Sequence, residues 1–127
     1  MTALEFKEKY YVTLNPYLEG LPLSDKIDFT QLDWFVEDLK ASVIPYRISQ
    51  CADGFRVGVV GVNGHECCDV VLHIGSYGHE EGRLEFWTQK PHDAPVGWLT
   101  GSDAWYLADK ERKKSLKGKT NILEEGI

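Results

Sequence analysis

The sequence lacks the features that mark several large classes of protein. No apolar run approaches the roughly 18 residues that a membrane-spanning helix needs. No internal repeat or low-complexity segment is present, and the charged N-terminal residues contain no continuous apolar stretch typical of a signal peptide. We therefore expect a cytoplasmic protein that does not associate with membranes.

Cysteine is scarce, and its spacing does not match the usual zinc sites. Only Cys51, Cys67 and Cys68 are present, and neither a Cys-x-x-Cys nor a His-Glu-x-x-His pair occurs. Neighbouring side chains of a strand point to opposite faces, so we expect Cys67 and Cys68 not to pair with each other unless a bulge intervenes. We assign neither a metal nor a cofactor to the chain, and we expect its cysteines to be reduced.

Positive charge is also scarce over most of the chain. The 127 residues carry a net charge of −6, but residues 1–109 hold 17 acidic and 8 basic side chains, whereas residues 110–119 hold six basic and one acidic. Binding to a nucleic-acid backbone requires lysine and arginine to displace counterions, so we do not expect nucleic acid as a partner. An acidic body suits a partner protein with a basic surface, and a homodimer is a further option.

The sequence does contain a regular series of strands between helical segments. Glycine-bearing turns, including Asp53-Gly54 and Asn63-Gly64, separate alternating apolar and polar runs. We predict an α+β fold in which a four-stranded antiparallel meander has helices before and after it, packed on one face.

The predicted helices are residues 2–13, residues 30–42 and a third that begins near Thr100 or Ser102 and ends near residue 116. Their capping boxes are predicted at Thr2 with Glu5, Thr30 with Asp33 and Thr100 with Asp103. The predicted strands are 46–51, 55–60, 68–76 and 83–89, and 17–23 is a loop. Residues 97–100 form either a short fifth strand or the approach to the third helix. We expect one domain, residues 1–117, and a flexible tail, residues 118–127.

Strict alternation divides the predicted strands into two faces. Apolar residues such as Phe55 and Val57 should meet the helices, and polar residues should face outward. The candidate binding residues on the outward face are Arg47, Arg56, His73, Arg83, Glu85 and Trp87. Guanidinium groups beside an indole are suited to an anionic or planar ligand. Alternatively, Asp69 and Glu85 pair with these arginines and leave an ordinary solvated face.

The turn between the last two predicted strands, residues 76–82, concentrates polar chemistry between glycines. Tyr77, His79 and Glu80 are further candidate binding residues, and His79 with a neighbouring glutamate has the composition of a general base and its orienting partner. The alternative is that these polar residues simply cover a hairpin turn. A nucleophilic pair of Cys51 or Cys67 with His73 is another option, but no third member is identified.

Two segments resemble a known group of proteins. Residues 73–85 read HIGSYGHEEGRLE and residues 96–103 read VGWLTGSD. Together they are similar to small uncharacterised proteins of phages and prophages, in which a strand–SYG-x-E-x-G-L-L-E–strand is followed by a GYLT-x-x-D/E helix start. Arg83 replaces the usual apolar residue here, and Trp98 replaces the tyrosine. The resemblance covers about a quarter of the chain; it implies a mobile-element origin and brings no known catalytic residues.

These observations favour a non-enzymatic interaction protein. We expect a small, acidic, phage-type protein that binds and inhibits a host protein, such as a defence nuclease, in the manner of an anti-CRISPR. The first alternative is a module that binds a small ligand or nucleotide on the arginine-rich outward face. The second is a small hydrolase centred on the His79 loop.

Overall fold

Two helices precede a sheet and a third follows it. The computed structural model describes residues 1–14, 22–90 and 92–125, except the side chains of residues 118–125. The helices are α1 (Ala3–Lys9), α2 (Thr30–Ala41) and α3 (Gly101–Glu125), and the strands are β1 (Tyr46–Cys51), β2 (Gly54–Val60), β3 (Glu66–Leu72), β4 (Leu84–Thr88) and β5 (Val96–Leu99). The chain is therefore α+β, as the sequence predicts.

The sheet has five strands in the described part of the chain, in the order β1-β2-β3-β4-β5, and every neighbouring pair is antiparallel. The prediction of four strands is wrong, because β5 joins the edge next to β4. Leu99 pairs with Leu84, and Val96 pairs with Phe86, with an irregular register between them. β5 has only four residues and includes a glycine, so its alternation is too short to decide between a fifth strand and the approach to α3 from the sequence alone.

The first two helices begin in different ways. In α1 the predicted capping box forms, because the Glu5 amide donates to the Thr2 hydroxyl at 3.1 Å and the Thr2 amide donates to the Glu5 carboxylate at 3.0 Å. The capping box predicted for Thr30 and Asp33 in α2 is wrong. Asp28 accepts the Thr30 amide instead, and Asp33 is buried, where it accepts hydrogen bonds from Tyr10 and from the Lys9 ammonium at 2.7 Å.

The helices share one hydrophobic core with one face of the sheet. Phe55 of β2 belongs to the aromatic part of this core, with its ring centroid 4.8 Å from that of Phe6 in α1 and 5.5 Å from that of Phe29. Ala104 and Ala108 of α3 are fully buried in the same core. α3 approaches α2 so closely that a Cβ on Gly101 would lie 2.7 Å from a backbone oxygen of α2. The third helix therefore needs glycine at its first position.

The ends of several predicted elements differ from the structure: α1 ends at Lys9 rather than at residue 13, and β3 (Glu66–Leu72) differs from the predicted strand 68–76. α3 continues past the predicted end at residue 116, as far as Glu125. The division into a domain of residues 1–117 and a flexible tail of residues 118–127 stays a prediction. The predicted loop at residues 17–23 lies mostly outside the described residues.

We expect Phe55→Ala to lower the free energy of unfolding by about 3–5 kcal/mol, because it removes a ring that contacts two others and leaves a cavity. Denaturation with guanidinium chloride measures the change. Leu4→Ala is the control: Leu4 is an exposed apolar residue of α1, and we expect a change within about 0.5 kcal/mol. Equal losses in the two variants would contradict the position of the core described above.

Candidate functional site

Two arginines of the outward face of the sheet, Arg47 and Arg56, belong to an ion-pair network. The Arg56 guanidinium of β2 contacts Asp69 of β3, with its Nε 2.9 Å from Oδ2, and also pairs with Glu66. Arg47 lies 3.8 Å from Glu66 and donates to the Gly64 carbonyl oxygen at 2.9 Å. The hydrogen bond from Arg56 lowers the pKa of Glu66, so this carboxylate stays charged and balances the arginines. The expected pairing of Asp69 with an arginine is confirmed.

Asp69 has one oxygen that no described residue satisfies. Its Oδ1 is buried without a hydrogen-bond partner, while Oδ2 accepts from Arg56. Burial raises the pKa of Asp69, and the charge of Arg56 opposes that rise. Asp69 borders a hollow of about 410 Å³ that is also lined by His73, Glu85 and Trp87. An unsatisfied acceptor at this position favours a hydrogen-bond donor over an anion, which is the opposite of what an arginine-rich face predicts.

Glu85 holds two aromatic residues in place. It is buried, and its carboxylate accepts hydrogen bonds from the backbone amide of Tyr77 and the indole Nε1 of Trp87. Glu85 therefore pairs with these two N–H groups, and the expected pairing of Glu85 with an arginine is wrong. One carboxylate of β4 thus fixes both the start of the 76–82 turn and an exposed side chain of its own strand.

Tyr77 and Trp98 form a stacked pair on the surface. Their ring centroids are 5.7 Å apart with an interplanar angle of 14°, although the two residues are 52% and 57% exposed. The Trp98 amide donates to the Tyr77 carbonyl oxygen at 3.2 Å. With Trp87, which is also exposed, these side chains form what we call the aromatic surface: Tyr77, Trp87 and Trp98.

The backbone at this pair adopts an unusual conformation. Trp98 has a φ of 57°, in the left-handed region that bulky residues rarely occupy. A Cβ on the preceding Gly97 would lie 2.3 Å from the Cβ of Tyr77, so only glycine allows the two segments to approach. Backbone strain of this kind costs about 1–3 kcal/mol and persists only where surrounding contacts impose it. The stacked pair is therefore built by tertiary structure.

His73 lies at the edge of the same face, next to β1. A hydrogen bond to the Cys51 sulfur raises the pKa of His73 to about 9, assisted by the Ile74 carbonyl oxygen at 2.7 Å from Nδ1 and opposed by partial burial. The imidazole is therefore charged at neutral pH. Of the two cysteines considered for a pair with His73, the structure brings Cys51 to it. The pair resembles a nucleophilic dyad in composition, and no described residue forms a third member.

His79 and Glu80 belong to a different part of the surface. They line a larger hollow of about 650 Å³, together with Leu23, Ile27 and Ile74. The His79 imidazole lies 2.7 Å from the Ser76 carbonyl oxygen through Nδ1 and 3.5 Å from Glu80 through Nε2. The base and orienting partner of the hydrolase hypothesis are thus close together, while the candidate residues from the sheet lie elsewhere.

The predicted site residues therefore fall into three groups. Arg47 and Arg56 belong to the ion-pair network, and His79 and Glu80 line the larger hollow. The third group is the aromatic surface and its neighbours: Tyr77, Trp87, His73, Arg83 and Glu85. Arg83 is placed beside that surface, because a Cβ on Gly78 would meet both the Arg83 Cβ at 2.8 Å and the Trp98 backbone at 3.0 Å. It forms no ion pair with a described residue.

Sequence reasoning omitted Trp98 from the candidate residues. An exposed tryptophan next to glycine in a short edge strand is a weak signal, and the left-handed backbone at Trp98 has no recognisable signature in the sequence. Asp69 was assigned correctly to the outward face, but its unsatisfied oxygen depends on how deeply the side chain is buried.

Comparison with known proteins supplies no relative. The chain matches no protein-family model, and no curated protein or solved structure matches it. In the part of the chain that the structure describes, no helix is long and apolar enough to cross a membrane, and no three histidine, cysteine or acidic side chains are arranged to hold a metal ion.

We expect the imidazole of His73 to titrate with a pKa of about 9 and Cys51→Ala to lower that pKa toward the ordinary value of 6.5. NMR titration of the imidazole signals measures both. Because the pKa in the folded chain lies above that of an unfolded histidine, protonation stabilises the fold. This contribution is complete below about pH 6.5 and is lost as the pH rises through about 9. An unchanged titration in Cys51→Ala would contradict the contact.

Proposed function

We propose that this protein is a non-catalytic binding protein that attaches to a partner protein through the aromatic surface. The observation that carries the proposal is the stacking of Tyr77 on Trp98 while both rings remain more than half exposed. Large aromatic side chains with one polar atom are the residues that most often dominate binding energy at protein interfaces. A partner that covers these rings would remove from water the apolar surface that the isolated chain leaves exposed.

The aromatic surface is held ready for binding by contacts beneath it. Glu85 fixes the Trp87 indole and the Tyr77 backbone through hydrogen bonds. The close approach of Gly97 to Tyr77 holds the neighbouring Trp98 against the Tyr77 ring. Side chains that are already ordered lose little conformational entropy on association, so more of the contact energy is retained as affinity. The strained backbone at Trp98 also fits a position kept for function rather than for stability.

Charge indicates the kind of partner. The 17 acidic side chains of residues 1–109 outnumber the 8 basic ones. Glu81 belongs to the same turn as Tyr77, and Asp103 lies in the first turn of α3, directly after β5; Arg83 is the cation beside them. Aromatic anchors among carboxylates complement a basic surface, such as the nucleic-acid channel of a nuclease. We therefore propose a phage-type inhibitor of a host defence nuclease that acts in the cytoplasm.

We expect Tyr77→Ala and Trp98→Ala each to weaken inhibition of the target nuclease by about 30-fold or more, which corresponds to roughly 2 kcal/mol at an interface anchor. The measurement has two parts. The first is phage plaquing on bacteria that carry nuclease-based defence systems and express the protein. The second is titration calorimetry with the purified nuclease of any system that is inhibited.

The chain offers matched controls for both substitutions. Trp34 in α2 is 54% exposed and Tyr106 in α3 is 60% exposed, so Trp34→Ala and Tyr106→Ala remove similar rings from other surfaces. We expect both controls to inhibit like the parent protein. Equal losses in the controls would contradict the assignment to the aromatic surface. Failure to restore plaquing on any nuclease-based system would contradict the inhibitor proposal.

Small-ligand binding is the second candidate function, and the hollow of about 650 Å³ favours it. A volume of this size is typical of a site for a small molecule, and apolar side chains with a few polar groups line it. The arginine-rich face favours this function less, because Glu66 and Asp69 neutralise Arg56.

If the larger hollow binds small molecules, saturation-transfer NMR with a library of neutral and cationic fragments should detect binders. Ile74→Glu should abolish their signals, because Ile74 contributes apolar wall to the hollow. Val43→Glu, a substitution at an exposed apolar residue elsewhere, should leave them unchanged. Signals that survive Ile74→Glu would place binding outside the hollow and contradict this candidate.

A further inference from the structure

A bulge in β3 brings two neighbouring cysteines together. Val59 of β2 pairs with Cys68, but the next residue, Val60, pairs with Glu66, so Cys67 is the extra residue. The regular alternation is broken at this point, and the two sulfur atoms lie 3.6 Å apart. The expectation that Cys67 and Cys68 point to opposite faces is therefore wrong, because the bulge interrupts the alternation of the strand.

The two thiols have unequal surroundings. Cys68 is fully buried in the hydrophobic core, whereas Cys67 is only partly buried, beside Gly61. A hydrogen bond from the Cys68 thiol lowers the pKa of Cys67. The same hydrogen bond raises the pKa of Cys68, and burial of Cys68 raises it further. The accessible sulfur is thus the one that ionises more readily, and the buried sulfur keeps its proton.

We propose that Cys67 and Cys68 form a site of reversible oxidation, at which a hydroperoxide converts the two thiols to a disulfide between adjacent residues. The sulfur separation and the difference in exposure carry this inference, which does not depend on the aromatic surface. It is a modification site in addition to the proposed binding function.

The chemistry follows from the positions of the two sulfur atoms. The Cys67 thiolate attacks one oxygen of the hydroperoxide, the O–O bond breaks, and Cys67 becomes a sulfenic acid. The departing oxygen takes up the proton that Cys67 released on ionisation and leaves as water or an alcohol. The Cys68 sulfur, already in contact, then attacks the Cys67 sulfur. The S–O bond breaks, the S–S bond forms, and hydroxide leaves and takes the Cys68 proton as water. Two thiols thus supply the two electrons that reduce one peroxide.

The resulting bond would be easy to reduce again. Adjacent residues joined by a trans peptide have Cα atoms about 3.8 Å apart, whereas unstrained disulfides join Cα atoms roughly 4.4–6.8 Å apart. A disulfide in this small ring is strained, and strained disulfides have the more oxidising potentials typical of regulatory bonds. A cellular thiol would therefore restore the reduced pair.

The test uses the reduced full-length chain, treated with hydrogen peroxide and digested with trypsin without reductant. Cleavage after Arg47, Arg56 and Arg83 places Cys51 on one peptide and the adjacent pair on another, so mass spectrometry separates the two sites. We expect the peptide of residues 57–83 to lose two hydrogen atoms and to regain them with dithiothreitol. Cys51→Ser should leave this result unchanged.

Other outcomes would overturn the proposal. These are a 57–83 peptide that stays reduced while Cys51 oxidises, one that only gains oxygen atoms, or one that is linked to Cys51 or to a second chain. Cys67→Ser tests the order of events with little risk to the fold, because the residue is only partly buried. It should abolish the loss of hydrogen and leave Cys68 unoxidised; oxidation of Cys68 in this variant would contradict its role as the second sulfur to react.

Discussion

The helices cover only one face of the sheet, and most of the molecule depends on this constraint. Each strand must place its apolar residues toward the helices and polar or functional residues on the other side. Phe55, Val57 and Val59 of β2 are fully buried on the covered face, whereas Arg56 between them reaches the outward face. The core and the candidate site are therefore alternate residues of the same strands.

On the outward face, electrostatics separates structural residues from those available for binding. Arg56 is occupied by Glu66 and Asp69, so this cation of the outward face is already neutralised, whereas Arg83 forms no ion pair with a described residue. Glu85 forms no ion pair with an arginine of the described residues; it accepts hydrogen bonds from two N–H groups and thereby positions Tyr77 and Trp87. The exposed rings of Tyr77, Trp87 and Trp98, held by buried polar contacts, suit a protein interface better than a phosphate or a nucleotide.

The sequence predicted most of the fold and less of the site. The β1–β2 hairpin follows from alternating residues on either side of Asp53-Gly54, and the start of α1 follows from its capping box; both are local signals. The inward turn of Asp33 was not predicted, and the sequence leaves open both the fifth strand and the bulge at Cys67, because each depends on a neighbouring element. The same holds for Trp98, whose stacking on Tyr77 joins two segments about twenty residues apart.

The sequence by itself determined the α+β class, the two faces of the sheet and the acidic character of the chain, since periodicity, turn residues and charge are properties of short segments. Only the tertiary structure decided that Arg56 is neutralised, that Tyr77 stacks on Trp98 and that two cysteines touch. Those outcomes depend on strand register and on the bulge, and a shift of one residue reverses the face on which a side chain lies.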